Sequence, residues 1–157
     1  MKAIQDDVMG VLECCDGNKF KKIKIILWGK ESIVYLNIRG DEHTPIRPNQ
    51  YMAYKELCDS SFLPDVENEI FSYYLSEVDE FRSMYGPNAD QVAPLISNKS
   101  ELGMLVSLFS IIIPENDRHR EIDMLFRCTW DIDGGVGVRI IDGAVQEVGT
   151  QHVAISG

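Results

Sequence analysis

Residues 128–153 read CTWDIDGGVGVRIIDGAVQEVGTQHV, and this stretch decides the fold. Two alternating apolar segments are joined by Asp-Gly turns, and the stretch carries no helix signal. The pattern predicts a β-meander that closes a sheet. It places Trp130 and Asp131 at a turn and His152 at the end of the last strand.

The N-terminal part of the chain predicts further strands. Residues 7–14 alternate weakly, as an edge strand does, and residues 20–27 and 32–39 alternate around a tight turn at residues 28–31. The last two segments predict a β-hairpin. Residues 40–48, which include two prolines, are typical of a loop.

Two helices are predicted in the centre of the chain. Residues 49–59 suit a helix with Asn49 as its N-cap. A longer helix begins at Pro64 and stops before Gly86. Its apolar residues fall on one stripe that we expect to pack across the sheet: Val66, Ile70, Tyr74, Val78 and Phe81.

The remainder of the chain predicts strands again. A connector at residues 93–96 and a short helix at residues 100–102 precede strands at residues 105–113 and 122–130. Because strands and helices are segregated along the chain, the predicted fold class is α+β. We expect a single domain over residues 1–157, with an antiparallel sheet (N-terminal hairpin plus C-terminal meander) packed against the two central helices.

The chain of 157 residues is acidic, with 15 Lys and Arg against 25 Asp and Glu and a net charge of −10. Nucleic acids and anionic membranes repel such a protein, whereas a basic protein partner is attracted to it. No apolar run approaches the roughly 20 residues that span a bilayer, and the first residues lack the apolar core of a secretory signal. We therefore expect a cytoplasmic protein.

The sequence carries no complete catalytic or metal-binding motif. Residues 131–135 lack the third oxygen ligand of a calcium loop, and the glycines at residues 135–137 run into a strand, unlike a dinucleotide fingerprint. The four cysteines form no C-x-x-C pair and are expected as free thiols. Cys128 with His152 would supply a nucleophile and a base, but the place of Cys128 inside an alternating strand favours packing. We expect no metal, cofactor or catalytic residue.

The candidate binding residues lie in two places. The polar face of the longer helix carries carboxylates beside a tyrosine, a combination that protein interfaces favour: Glu69, Tyr73, Glu77 and Glu80. The meander adds Trp130, Asp131 and His152. A tryptophan at a strand-to-turn transition either caps the core or forms an exposed anchor, and capping is the favoured interpretation.

An ordered set of residues extends over nearly the whole chain: Trp28-Gly29, the helix headed by Pro64, Ile111-Ile112-Ile113-Pro114, and the pattern C-T-W-D…G-x-G-V…G-x-V-x-x-V-G-x-Q. The set resembles a widespread family of small bacterial proteins known only as a domain of unknown function. In that family a His-Gly pair follows Trp-Asp and an Asp follows the final Gln, where this chain has Ile132-Asp133-Gly134-Gly135 and His152. The resemblance implies no activity, cofactor or catalytic residue.

Three functions are open at this point. The favoured one is a non-enzymatic binding protein, similar in type to an immunity protein, that neutralises a basic partner such as a toxin. The second is a small enzyme or small-molecule-binding domain that uses Trp130, Asp131 and His152 and requires a pocket there. The third is a homo-oligomeric structural module that associates through a sheet edge or an apolar patch.

Overall fold

The computed structural model describes residues 2–41 and 43–155, without the side chain of Ile155. Eight strands form one sheet in the order in which they follow one another along the chain. They are β1 (Lys2–Asp6), β2 (Gly10–Cys15), β3 (Asn18–Leu27), β4 (Lys30–Ile38), β5 (Val106–Ile113), β6 (Glu121–Cys128), β7 (Val136–Ile141) and β8 (Ala144–Gly149).

The helices lie mainly between β4 and β5. They are α1 (Pro48–Asp59), α2 (Leu63–Tyr85), α3 (Ala89–Val92) and, after β8, α4 (His152–Ile155), with 3₁₀ turns at Gly86–Asn88 and Lys99–Met104. The α+β class, the N-terminal hairpin, the two central helices and the C-terminal meander are confirmed. Within the described residues, no helix is long and apolar enough to cross a membrane.

One pair of neighbouring strands is parallel, which corrects the expectation of a purely antiparallel sheet. β4 and β5 pair in parallel at residues 35–38 and 110–113, whereas the other neighbours are antiparallel. The chain between them, residues 39–105, carries α1 and α2. A helical crossover of this kind brings the next strand back in the same direction, as parallel pairing requires.

The N-terminal edge of the sheet also differs from the prediction. β1 lies outside β2, so the edge strand expected at residues 7–14 is an internal strand that begins at Gly10. Asp6 holds the turn between them, because its Oδ2 accepts hydrogen bonds from the backbone N–H groups of Val8 and Met9 at 2.9 and 2.8 Å. The residues of β1 are exposed or half-buried, so its apolar pattern is weak.

The first helix begins one residue earlier than expected. Pro48 occupies its first turn, where a proline loses no hydrogen bond, and Arg47 rather than Asn49 is the N-cap. Gln50 Oε1 accepts a hydrogen bond from the backbone N–H of Arg47 at 2.9 Å. The capping side chain thus comes from the third helical position.

The C-terminal segment corrects the placement of His152. β8 ends at Gly149, and His152 opens α4 instead of closing a strand. The backbone N–H of Val153 donates to the carbonyl of Thr150 at 3.0 Å, which turns the chain back. A helix of four residues is too short for its periodicity to show in the sequence.

The two faces of the sheet are covered differently. The predicted stripe of α2 is buried against one face, where it meets inward residues of β5 to β7. On the other face, Ala154 of α4 packs against Ile112 and Leu125 in a small separate cluster. The sheet is therefore covered on both faces near its C-terminal strands.

Candidate functional site

An open groove of about 400 Å³ lies between α2 and β8. β8 is the last strand of the sheet and pairs on one side only, with β7. Residues of the two elements line the groove: Glu69, Ser72, Tyr73 and Ser76 of α2, and Val145, Gln146, Glu147 and Val148 of β8. Two of the residues expected from the sequence, Glu69 and Tyr73, thus lie in one concave surface.

The carboxylates around this groove have no cation beside them. Within residues 2–41 and 43–155, no Lys, Arg or His nitrogen lies within 4.0 Å of the carboxylates of Glu69, Glu77, Glu80 or Asp131. Elsewhere on α2, by contrast, Glu67 pairs with Lys99 at 3.5 Å. We call Glu69, Tyr73, Glu77, Glu80 and Asp131 the acidic groove residues.

The pKa of Tyr73 is affected by the charges of this surface. The side chain is half-buried, and burial raises the pKa of its hydroxyl. The nearby charges of Glu77, Asp131 and Glu80 raise the pKa further. The structure therefore brings four of the predicted binding residues, one tyrosine and three carboxylates, into one electrostatic environment.

Trp130 lies in the hydrophobic core and not on the surface of the groove. Its side chain is 2% exposed and stacks on Phe81, with ring centroids 5.4 Å apart. Tyr74 packs on it at 4.7 Å, and the Tyr85 hydroxyl donates a hydrogen bond to its carbonyl. Core capping, the favoured interpretation of Trp130, is confirmed, and its ring does not serve as an exposed anchor.

Asp131 is partly engaged in a turn. Its Oδ1 accepts a hydrogen bond from the backbone N–H of Gly134 at 2.8 Å, and its carbonyl accepts one from Gly135 at 2.9 Å. This is the arrangement of a polar hairpin turn, in which short acidic side chains bond to the backbone. The half-buried carboxylate is still close enough to Tyr73 for its charge to raise the pKa of the tyrosine hydroxyl.

His152 is not part of the groove. It is exposed and opens α4, which covers the opposite face of the sheet from α2. Cys128 is buried on the α2 side, and burial raises the pKa of its thiol to about 11. Cys128 and His152 thus lie on opposite faces, and the Cys128 sulfur stays a thiol that donates to the carbonyl of Asp131 at 3.4 Å.

Residues 8–155 match the model of a family described as Domain of unknown function (DUF6985). The chain belongs to this family. The match spans the acidic groove and all strands except β1. Neither the curated proteins nor the solved structures contain a match to the chain.

Two groups of polar residues that line surface clefts of this DUF6985 domain were not predicted from the sequence. Gln146 and Glu147 line the groove, but an exposed edge strand carries no pattern that marks them. On the other face, Glu121 and Asp123 point out of β6 toward the side covered by α4. The spacing of two residues between these acids indicates that they share one face of β6, but it does not indicate that they are buried.

Proposed function

We propose that the protein is a non-enzymatic binding protein that uses the acidic groove to engage a basic surface of a protein partner. The observation that supports this most directly is a set of carboxylates near the half-buried Tyr73 that have no ion-pair partner in the described part of the chain. Like charges held together cost free energy in the isolated protein, and a partner that supplies Lys or Arg relieves that cost. We also propose that the protein is located in the cytoplasm of a bacterial host.

The shape of the groove favours an elongated basic segment. One wall is the edge strand β8, whose outward backbone groups are free to pair with another strand. The other wall, α2, carries Glu69 in the lining, and Glu77 and Glu80 on the same helix are near enough for their charges to act on Tyr73. Tyr73 adds a rigid aromatic surface at the centre, where interface residues contribute most binding energy.

A toxin-neutralising role of the immunity type fits this chemistry best. A nuclease toxin must carry a basic surface to hold its polyanionic substrate, and an acidic groove is complementary to that surface. Neutralisation then requires only that the groove cover the basic surface. No catalytic residue on this chain is needed for that task.

The test is capture from a lysate of the source organism, with tagged protein and a wash at about 0.5 M salt. The test variant carries Glu69→Gln, Glu77→Gln and Glu80→Gln. The control variant carries Asp7→Asn, Glu13→Gln and Asp59→Asn, three exposed acids outside the groove that give the same change in net charge. We expect one basic protein that the wild type and the control retain, and that salt and the groove variant release.

Purified partner then gives a sharper measurement. We expect the groove variant to weaken binding by about 100-fold or more, chiefly because steering and rim contacts are lost. Equal losses in the groove and control variants would assign the effect to net charge alone and reject the groove. The failure of every basic protein to bind would reject the proposal itself.

A second candidate, the homo-oligomeric module, rests on exposed apolar residues of the N-terminal strands. Val11, Ile26 and Ile33 are 61%, 56% and 66% exposed. The strand registers place all three on the face of the sheet that α1 and α2 leave uncovered. Sedimentation at micromolar concentrations tests it, with Ile26→Lys and Ile33→Lys as the variant expected to dissociate an assembly.

A further inference from the structure

A second cleft, of about 300 Å³, lies on the opposite face of the sheet from the acidic groove. Its wall is formed by the apolar residues Ile112, Pro114 and Ala154 and by the polar residues Arg39, Glu115, Asn116, Glu121 and Asp123. Its volume is at the lower end of the range for small-molecule sites. A few convergent polar groups on an apolar wall are the composition of such sites.

Two carboxyl groups form the floor of this cleft. The side chain of Asp123 is 3% exposed and that of Glu121 is 11% exposed. Burial, a hydrogen bond with Glu121 and the charge of Glu121 together raise the pKa of Asp123 to about 9, although Arg139 and Arg39 act in the opposite direction. At neutral pH the Asp123 carboxyl group therefore carries a proton.

One acceptor in the floor of the cleft lacks a donor, whereas Glu121 Oε1 accepts a hydrogen bond from Asn116 Nδ2 at 2.9 Å. Asp123 Oδ1 is fully buried and has no hydrogen-bond partner among the described residues. Arg139 Nε, which is also buried without a partner among them, lies 3.8 Å from Asp123 Oδ1 and 3.7 Å from Glu121 Oε2, too far for a hydrogen bond. Buried polar atoms in native proteins are almost always satisfied, so this oxygen marks a place for a donor.

The rim of the cleft carries a positively charged side chain, that of Arg39. The Arg39 side chain is exposed, and its charge reaches Asp123 strongly enough to lower the pKa of that carboxyl. A guanidinium group presents paired N–H donors that match a carboxylate. The other charged residue of the lining outside the floor, Glu115, is already paired with Arg47 at 2.9 Å. Arg39 can thus pair with an anion, while the floor can accept a cationic donor.

We propose that this cleft binds a small zwitterion of the amino-acid class, whose ammonium group donates to Asp123 and Glu121 and whose carboxylate pairs with Arg39. The ammonium group takes the place of the proton on Asp123, and that proton is released to solvent. The apolar wall formed by Ile112, Pro114 and Ala154 contacts the side chain of the ligand. Binding at this face is independent of the acidic groove.

The release of a proton makes the affinity for the ligand depend on pH. Since Asp123 carries a proton in the free protein and none in the complex, a higher pH favours binding. Between about pH 6 and pH 8 we expect the affinity to rise by roughly tenfold per pH unit. Each molecule bound releases close to one proton, which calorimetry in buffers of different ionisation enthalpy measures directly.

The experiment titrates the full chain with the standard amino acids and with ω-amino acids from glycine to 6-aminohexanoate. The second series varies the distance between ammonium and carboxylate, so the best member measures the span from Asp123 to Arg39. We expect at least one compound to bind with a Kd of about 1 mM or below. The corresponding alkylamine and carboxylic acid, each with one charge only, bind at least about tenfold more weakly.

Three variants test the assigned roles. Arg39→Gln should weaken binding at least about tenfold, and Asp123→Asn should weaken it and abolish proton release. Arg127→Gln is the matched control, because Arg127 is exposed on the same face and outside the cleft lining. No binding at about 10 mM of any compound, or binding that survives both Arg39→Gln and Asp123→Asn, overturns the proposal.

Discussion

At the scale of single residues, Asp123 has the largest influence on how stability depends on pH. Its pKa is about 9 in the folded protein, because burial disfavours the charged form, and about 3.9 in an unfolded chain. Folding therefore takes up a proton throughout this interval. The contribution is fully present below about pH 4 and is lost as the pH rises toward 9.

Replacing Asp123 by Asn tests whether Asp123 makes the folded protein less stable as the pH rises. Asparagine is uncharged in both states, so Asp123→Asn should raise the free energy of unfolding at about pH 8 by at least about 1 kcal/mol, with no gain near pH 4. Urea unfolding at both pH values measures it. Asp79→Asn, on the exposed face of α2, is the control and should show no such pH-dependent gain. A less stable Asp123→Asn protein at pH 8 would contradict the protonated state of Asp123 in the folded protein.

At the scale of elements, α4 depends on one close approach to β7. A Cβ atom on Gly137 would lie 2.6 Å from the Thr150 carbonyl oxygen and 3.0 Å from the Gln151 Cα. Both atoms belong to backbone, so no side-chain rotation relieves the clash. The glycine allows the C-terminal segment to lie flat on the sheet.

Gly137→Ala should therefore detach α4 from the second face. We expect the free energy of unfolding to fall by about 2 kcal/mol or more and the amides of residues 150–155 to exchange faster. Gly40→Ala is the control, because the nearest atom to its Cβ would lie at 3.7 Å. Unchanged exchange in residues 150–155 of the Gly137→Ala protein would show that α4 tolerates the displacement.

The elements differ in how well the sequence predicts them. The stripe from Val66 to Phe81 spans about four turns of α2, so its period is unambiguous, and every residue of it is buried. α4 has one turn, and β1 alternates too weakly to be recognised. Glu121 and Asp123 are buried only because α4 and the loop after β5 cover them, which is tertiary information that no local pattern contains.

At the scale of the whole molecule, charge is distributed unevenly. The net charge is −10, and the charges of Glu77, Glu80 and Asp131 act together on Tyr73 beside the groove, while Lys22 and Lys24 lie on the uncovered face of β3. Crowded like charges destabilise a compact chain, and salt screens them. The stability of the protein should therefore depend on ionic strength.

Raising the salt concentration from about 0.01 M to 0.2 M should increase the free energy of unfolding by on the order of 1 kcal/mol. In the variant with glutamine at Glu69, Glu77 and Glu80 we expect a smaller increase, because the most crowded carboxylates are already neutral. The variant altered at Asp7, Glu13 and Asp59 should respond like the wild type. Equal responses of the two variants would show that the groove carries no special repulsion.

The parallel pairing of β4 with β5 has a further consequence. It is the one junction between two halves of the sheet, β1 to β4 and β5 to β8, and each half is continuous in sequence. Each half forms through neighbouring turns, whereas their junction waits for the long crossover to close. We therefore expect that the polypeptide can be divided within this crossover. One fragment then carries the pairings of β1 to β4 and the other those of β5 to β8, and only the pairing of β4 with β5 forms between the fragments.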